Sequence, residues 1–293
     1  MNAAPSPPRI AVLMTCHNRR ELTLRCLQSL ADQPLFDMHR LFLVDDGCVD
    51  GTSDAVRQLM PQARIIDGDG SLYWNGGMRR AWEEAKSAHA DHDFYLWLND
   101  DVELRPGAIE ALVKDADRVA NRGAAIIVAA ATANPDDPTQ VTYGGHRRAN
   151  PRRPFRLGLV MPTGTPEPVD TISGNIVLVS SAAERVLGNL DASITHIYGD
   201  LDYAMRAHAA GVPVVLASAV GGTCAGNPGR GTSADPALGK VTRLRLRWRE
   251  ERGVHARDWR RLVAMHSRNP VERIRHRIGP YLRILLGSRR EGV

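Results

Sequence analysis

The chain has 293 residues, 43% of them hydrophobic, enough for one large domain or one domain with an appendage. Its longest apolar stretch, residues 124–133, is far short of the roughly 20 residues that span a bilayer, which excludes a transmembrane helix. The net charge of +5 is unevenly spread: residues 240–293 carry 16 Lys/Arg against 5 Asp/Glu, or +11, leaving −6 on the first 239.

Residues 1–8 are Pro-rich and lack an apolar core, so they read as a disordered arm and not a signal peptide. Residues 9–16 are apolar and β-branched and predict a first strand running into Thr15-Cys16-His17-Asn18. Leu22, Cys26, Leu27 and Leu30 stand near helical spacing, so a helix follows. A buried strand over 41–44 ends in Asp45-Asp46-Gly47, and residues 52–60 read as the next helix. A short strand over 64–66 is broken by Gly68-Asp69-Gly70, and a helix is predicted over 75–90. The fourth strand, 94–98, runs into Asn99-Asp100-Asp101. Strands alternating with helices at these spacings argue for a mostly parallel, Rossmann-like α/β sheet built from βαβ units.

After Pro106 come a helix to about residue 121 and an apolar strand over 124–131. Residues 134–168, rich in Pro, Gly and Arg, read as an antiparallel excursion or long loop. A strand over 172–179, a helix over 201–210 closed by Gly211 and a last strand over 212–217 complete the pattern. A Gly/Pro/Ser-rich loop over 221–239 leads to a basic region with helical stretches. The expected organisation is a catalytic domain over 9–220, with halves at 9–101 and 102–220, and a C-terminal region over 221–293. The four cysteines, Cys16, Cys26, Cys48 and Cys224, show no zinc-ligand or redox spacing, which fits reduced thiols in the cytoplasm.

Four polar clusters follow four successive strands: Thr15–Asn18, Asp45-Asp46, Gly68–Gly70 and Asn99–Asp101. In a parallel sheet all four loops open on one edge, where open α/β sheets bind ligands. Adjacent carboxylates such as Asp100 and Asp101 suit a divalent cation holding a diphosphate. The glycines of residues 68–77 allow close backbone approach to a ligand, and a helix start there favours an anion.

In these motifs, and in Gly199-Asp200-Leu201-Asp202-Tyr203 with Arg206 and Gly211, the chain over 9–217 resembles a glycosyltransferase family 2 enzyme of the GT-A fold. The resemblance implies that Thr15, His17, Asn18, Asp45 and Asp46 border the nucleotide base. It places Gly68, Asp69, Trp74, Asn75 and Gly76 beside the donor diphosphate and sugar. Asn99 and Asp100 would contact the ribose or diphosphate, and Asp101, with Asp100, would hold Mn²⁺ or Mg²⁺. The family's usual Asp-x-Asp begins here with Asn99. Asp200 would be the general base of an inverting transfer, with Gly199 where the family carries Glu, and Asn175 a further sugar contact. The late metal-binding histidine of many relatives has no counterpart near Gly222-Thr223-Cys224. His196 and His208 read as structural. Asp202 and Arg206, four apart on a helix, read as an ion pair.

The implied donor is a UDP-, GDP- or dTDP-sugar, and the acceptor a saccharide or lipid-linked saccharide of cell-surface polysaccharide synthesis. Arg243, Arg245, Arg247 and Arg249 alternate with Leu244, Leu246 and Trp248, followed by Arg273, Arg275, Arg277 and the apolar Tyr281–Leu286. This tail could touch the anionic inner face of the membrane, or pack its leucines on the catalytic domain. Sparse aromatics and no nucleic-acid-binding motif argue against DNA or RNA. A sugar-phosphate nucleotidyltransferase is disfavoured because Thr15-Cys16-His17-Asn18-Arg19 contains no glycine.

Overall fold

Side-chain alternation along the first strand, β1 (Ile10–Cys16), divides the interior into two layers. Ile10, Val12, Met14 and Cys16 face one core, and Ala11 and Leu13 face the other. A computed structural model describes residues 6–149, 155–227, 231–249 and 256–286. Residues 1–5 of the expected arm, and part of the basic region, lie outside the described residues.

The elements follow in the order β1, α1 (Arg20–Ala31), β2 (Leu41–Asp45), α2 (Thr52–Leu59), β3 (Arg64–Asp67), α3 (Tyr73–Ala88), β4 (Phe94–Leu98) and the two-residue β5 (Glu103–Leu104). Next come α4 (Ala108–Val119), β6 (Ile127–Ala133) and an excursion of short strands: β7 (Val141–Tyr143), β8 (Gly145–Arg148), β9 (Leu157–Leu159), β10 (Glu167–Pro168) and β11 (Thr171–Ile172). The chain closes with β12 (Ile176–Ser180), α5 (Ser181–Leu187), α6 (Gly199–Ala209), β13 (Val214–Thr223), α7 (Lys240–Trp248), α8 (Ala256–His266) and α9 (Pro270–Leu286).

The main sheet runs β10-β13-β6-β12-β4-β1-β2-β3. β1, β2, β3 and β4 are parallel, as expected for βαβ units. β12 is antiparallel to both of its neighbours, β4 and β6, and β13 is parallel to β6. Because β12 runs backwards, its beginning lies beside the end of β4, and Asn99 N–H donates to Asn175 carbonyl at 3.0 Å. Helices α1, α2 and α4 cover one face through Leu27, Val56 and Leu112. Helices α3, α5 and α6 cover the other through Trp82, Ala183 and Tyr203.

Two sequence expectations need correction. The strand expected over 172–179 is two strands, broken at Ser173-Gly174-Asn175, which turns the chain from the small β11-β8-β9 sheet into the main one. The last strand runs on to Thr223, because Gly222 and Thr223 pair with Leu104 and Glu103 of β5, so residues 221–223 are not loop. The helical stretches expected in the basic region are present as α7, α8 and α9. The expected helix stop at Gly211 is present, with a left-handed φ of +73° just past α6.

The basic region is docked. Trp259, Leu262 and Val263 of α8 form a third core with Leu201 and Met205 of α6 and Leu157 of the excursion. Buried Asp258 accepts from the backbone N–H groups of Thr195 and His196, at 3.1 and 2.9 Å. His266 Nε2 lies 2.7 Å from Asp202 Oδ1.

Candidate active site

On the β1 and β2 side of the sheet edge, the polar residues hold one another. His17 Nδ1 donates to the carbonyl of Asp46, and Asn18 Nδ2 lies 3.0 Å from His17 Nε2, which fixes the imidazole tautomer. Asn18 adopts a φ of +50°, and its Oδ1 accepts from Val49 N–H at 2.8 Å. Asp45 is buried and accepts from Cys48 N–H at 2.7 Å and from the Ser53 hydroxyl. Burial opposes its ionisation, but the hydrogen bonds from Cys48 and Ser53 win, and its pKa is lowered. Asp46 reaches 24 to 27 residues along the chain: Oδ1 accepts from Gly70 and Leu72 N–H at 2.9 and 3.2 Å, and Oδ2 from Tyr73 N–H at 2.9 Å. It therefore anchors the entry into α3. Asp69 is exposed and folds onto Ser71, whose N–H and hydroxyl it accepts at 2.9 and 2.7 Å.

The glycines of this region serve the chain itself. A Cβ on Gly68 would stand 2.8 Å from Asp46 Oδ1, and one on Gly47 would stand 3.0 Å from the backbone of Gly70. At Gly77 it would meet Thr15 Oγ1 at 2.2 Å, so α3 lies directly on the end of β1. The close approaches at Gly47 and Gly68 bring the β2 and β3 loops together. Gly76 N–H donates to Leu72 carbonyl at 3.1 Å within the first turn.

Trp74 and Asn75 join this side to the other. Trp74 Nε1 donates to Asn99 Oδ1 at 2.7 Å, and its ring would overlap any side chain at Gly174. Asn75 is fully buried and donates to the carbonyls of Asp191 and Ile194, at 2.9 and 2.7 Å. Its Oδ1 has no partner among the described residues and lies where a Gly199 Cβ would come to 2.0 Å. The departure from Glu at position 199 thus has a steric cause.

The floor is built by the residues after β4. Asp100 is buried and Asp101 partly exposed, and Arg19 Nη1 reaches both, at 3.3 Å from Asp100 Oδ1 and 3.1 Å from Asp101 Oδ2. Burial pushes the Asp100 carboxyl up to about 7, against the pull of Arg19. Cys224, beyond β13, points its thiol at Asp101 Oδ1 at 3.5 Å and accepts from buried Asn175 Nδ2 at 3.6 Å. Burial, then the Asp101 charge, raises that thiol to about 12. One guanidinium nitrogen touching both carboxylates means that their oxygens converge on a volume a single cation fills. Carboxylate oxygens suit Mg²⁺ or Mn²⁺, so the residues fit such an ion. Elsewhere, Cys16, Asp45 and Cys48 also bring ligand atoms within 4.8 Å of one another, but Asp45 is already engaged by Cys48 N–H and Ser53.

Asp200, in the first turn of α6, accepts from Gly174 N–H at 2.9 Å and Leu201 N–H at 2.8 Å. Desolvation raises its pKa despite both bonds. Two residues on, Asp202 is fully buried and paired with Arg206 at 2.8 Å and with His266. His208 and His196 are structural, as expected: His208 Nε2 lies 2.9 Å from Val169 carbonyl, and His196 stacks on Tyr73 at 5.4 Å. Among the described residues, the non-glycine positions with positive φ are Asn18, Tyr73 and Tyr198. All three lie at this edge of the sheet, and backbone strain of this kind concentrates at functional sites.

Sequence reasoning missed three contributors. Arg19 was visible within the first motif, but its reach across 81 residues to Asp100 was not. Cys224 registered only as a missing histidine, and Asp258 only as a charge in a basic region.

Comparison with known proteins bears on the family and the fold. The model of "Glycosyl transferase family 2" matches residues 11–178. An "N-acetylglucosaminyl-diphospho-decaprenol L-rhamnosyltransferase" of Mycobacterium tuberculosis is 25% identical over 224 residues, covering 70% of this chain and 71% of the relative. A mannosyltransferase from Pyrobaculum calidifontis, solved with GDP-Man and Mn²⁺, superposes with a TM-score of 0.57 at 16% identity, over 98% of this chain and 77% of that one. GalNAc-T7, solved with UDP, GalNAc and Mn²⁺, superposes with a TM-score of 0.55 at 9% identity, over 95% of this chain and 55% of that one. At these identities the two structures speak for the fold. With its family model matched over more than half its length, the chain belongs to glycosyl transferase family 2 and is a GT-A-fold glycosyltransferase.

Proposed function

We propose that this enzyme transfers a hexosyl or deoxyhexosyl group from a nucleotide-diphosphate sugar to a hydroxyl of a lipid-linked saccharide, with inversion. The lipid-linked acceptor follows the relative that acts on a diphospho-decaprenol saccharide. The donor reading follows the neighbours bound to GDP-Man and to UDP. In this reading residues 9–101 hold the donor, residues 102–220 meet the acceptor, and residues 221–293 are appended. His17, Asn18 and the Asp45–Asp46 turn shape the base pocket, and Thr15 and Gly68–Gly76 support its wall. Asp101, with Asp100, would hold Mn²⁺ or Mg²⁺. A bound ion of that kind offsets charge on the departing nucleoside diphosphate.

One observation carries the catalytic assignment. Asp200 is a carboxylate at the sheet edge whose pKa burial has raised and which has no cationic partner among its recorded contacts. A base tuned upward toward the working pH accepts a proton more effectively in the transition state. Asp200 takes the acceptor hydroxyl's proton as that oxygen attacks the anomeric carbon from the face opposite the diphosphate. Gly174 and Leu201 N–H aim the carboxylate, and Trp74, packed on Gly174, walls the sugar position. Asn175 and Asn99 lie beside it, joined through the backbone. Asp200→Asn should abolish transfer while nucleotide-sugar binding, measured by calorimetry, stays within a few-fold of wild type. A folded variant that no longer binds donor would remove Asp200 from the role of base.

A further inference from the structure

Beside the acceptor side of the site lies a cavity of about 430 Å³ between the excursion and helices α8 and α9. Its apolar floor is Phe155 against Trp259, with ring centroids 5.1 Å apart, and its mouth is Ile278 and Leu282. Trp259 also packs on Tyr198 at 5.5 Å. Tyr198 caps α6 two residues before Asp200, so the cavity adjoins the proposed base.

The polar part of the lining is cationic. Arg156, Arg275 and Arg283 line it, and no lining residue is acidic. Arg247 is buried, with its guanidinium 5.6 Å from the Trp259 ring and its Nε without a partner among the described residues. Within the lining, His276 Nε2 is likewise buried and unpartnered. Burial, then the charges of Arg247 and Arg156, lower the pKa of Arg283. Crowded cations around unpartnered buried nitrogens fit an anion with several oxygens.

Outside the cavity, α9 exposes Val271, Ile274, Ile278, Leu282 and Leu285. Their spacings of three and four residues make one apolar stripe, and Ile278 and Leu282 belong to both stripe and cavity. An arginine-lined cavity opening onto an apolar stripe matches one ligand chemistry, a diphosphate attached to a hydrocarbon chain.

We propose that this cavity is the acceptor's anchor: the arginines hold the diphosphate of a prenyl-diphosphate-linked saccharide, and the α9 stripe carries the prenyl chain. The inference rests on the lipid-linked acceptor reading above and places that lipid on the C-terminal helices. A bilayer phosphate is the competing source of the same chemistry.

Titrating the full-length protein with farnesyl diphosphate, without divalent metal to keep the diphosphate off the donor site, tests it. Inorganic diphosphate and phosphatidylglycerol vesicles serve as the other probes. Farnesyl diphosphate should bind at least tenfold more tightly than inorganic diphosphate. The exposed double substitution Arg275→Gln/Arg283→Gln should weaken it at least tenfold, with melting temperature and nucleotide-sugar affinity unchanged. In transfer assays that variant should raise KM for a prenyl-linked acceptor while leaving kcat intact. Unchanged farnesyl diphosphate affinity in the variant would overturn the anchor. So would vesicle binding that farnesyl diphosphate fails to compete, which would make the surface a bilayer contact. Either result, with nucleotide-sugar binding preserved, leaves the transferase reading standing; failure of nucleotide sugars to bind at all would remove that reading instead.

Discussion

The carboxylates along the edge of the sheet fall into two groups that composition does not distinguish. On the β2 and β3 side, Asp45, Asp46 and Asp69 each accept from two or three donors on neighbouring chain, backbone N–H groups and the hydroxyls of Ser53 and Ser71. At the floor and on α6, Asp100 and Asp101 share one Arg19 nitrogen and Asp200 accepts from two backbone N–H groups, and burial raises the pKa of Asp100 and of Asp200. The first group braces loops; the second contains the carboxylates that the proposed function assigns to a cation and a proton, and it is in this group that burial raises pKa values. An acid at a strand end is a candidate for chemistry only to the extent that the fold has left its oxygens available.

The isosteric pair Asp200→Asn and Asp46→Asn tests this division most directly. Asp200→Asn should reduce kcat by about 10²–10⁴-fold, the usual contribution of a general base. Its urea-unfolding midpoint should hardly move. Asp101→Ala comes next. It should remove any stimulation of donor binding by Mn²⁺, read as a change of at least tenfold in affinity, and equal stimulation in the variant would take Asp101 out of the cation site. Asp46→Asn should cost stability instead, about 1–3 kcal/mol, because an amide with one acceptor oxygen replaces a carboxylate that holds three N–H groups. If its main effect were on kcat, the separation into bracing and reacting acids would fail.

The smallest effect concerns the three-stranded β11-β8-β9 sheet. Burial lowers the pKa of His146 on β8 from 6.5 to about 4. Unfolding therefore takes up a proton below the unfolded pKa, so the stabilisation is complete above about 6.5 and is lost as the pH falls through about 4. Relative to His146→Gln, wild type should lose extra stability between those values in urea titrations. Parallel pH profiles would place the loss elsewhere.

Much of this was legible in the residues themselves. The strand–helix alternation through β4 and the Asp202–Arg206 pair four apart on α6 follow from periodicity and helix geometry, both local properties. The strand-end clusters do gather along one edge of the sheet, as their order predicts. What stayed hidden depends on long-range contact. The partners of Asp46 come from beyond β3, those of Asp258 from 62 and 63 residues earlier, and no local pattern announces either. The run through 172–179 reads as one strand although Ser173-Gly174-Asn175 interrupts it, because β11 is only two residues long. Gly199 looked like a lost acid, although Asn75 leaves no room there for any side chain.

The reversed strand β12 has a mechanical consequence. Its ladder with β4 runs from Ser180↔Phe94 to Ile176↔Leu98 and continues into the Asn99–Asn175 hydrogen bond. Asn99 after β4 and Asn175 before β12 thus form the next rung of the same ladder. Two lobes joined by a linker could close like a jaw around their substrates; two halves sharing a sheet cannot hinge without tearing it. The spacing between the residues after β4 and the Asn175 turn is therefore set by strand register.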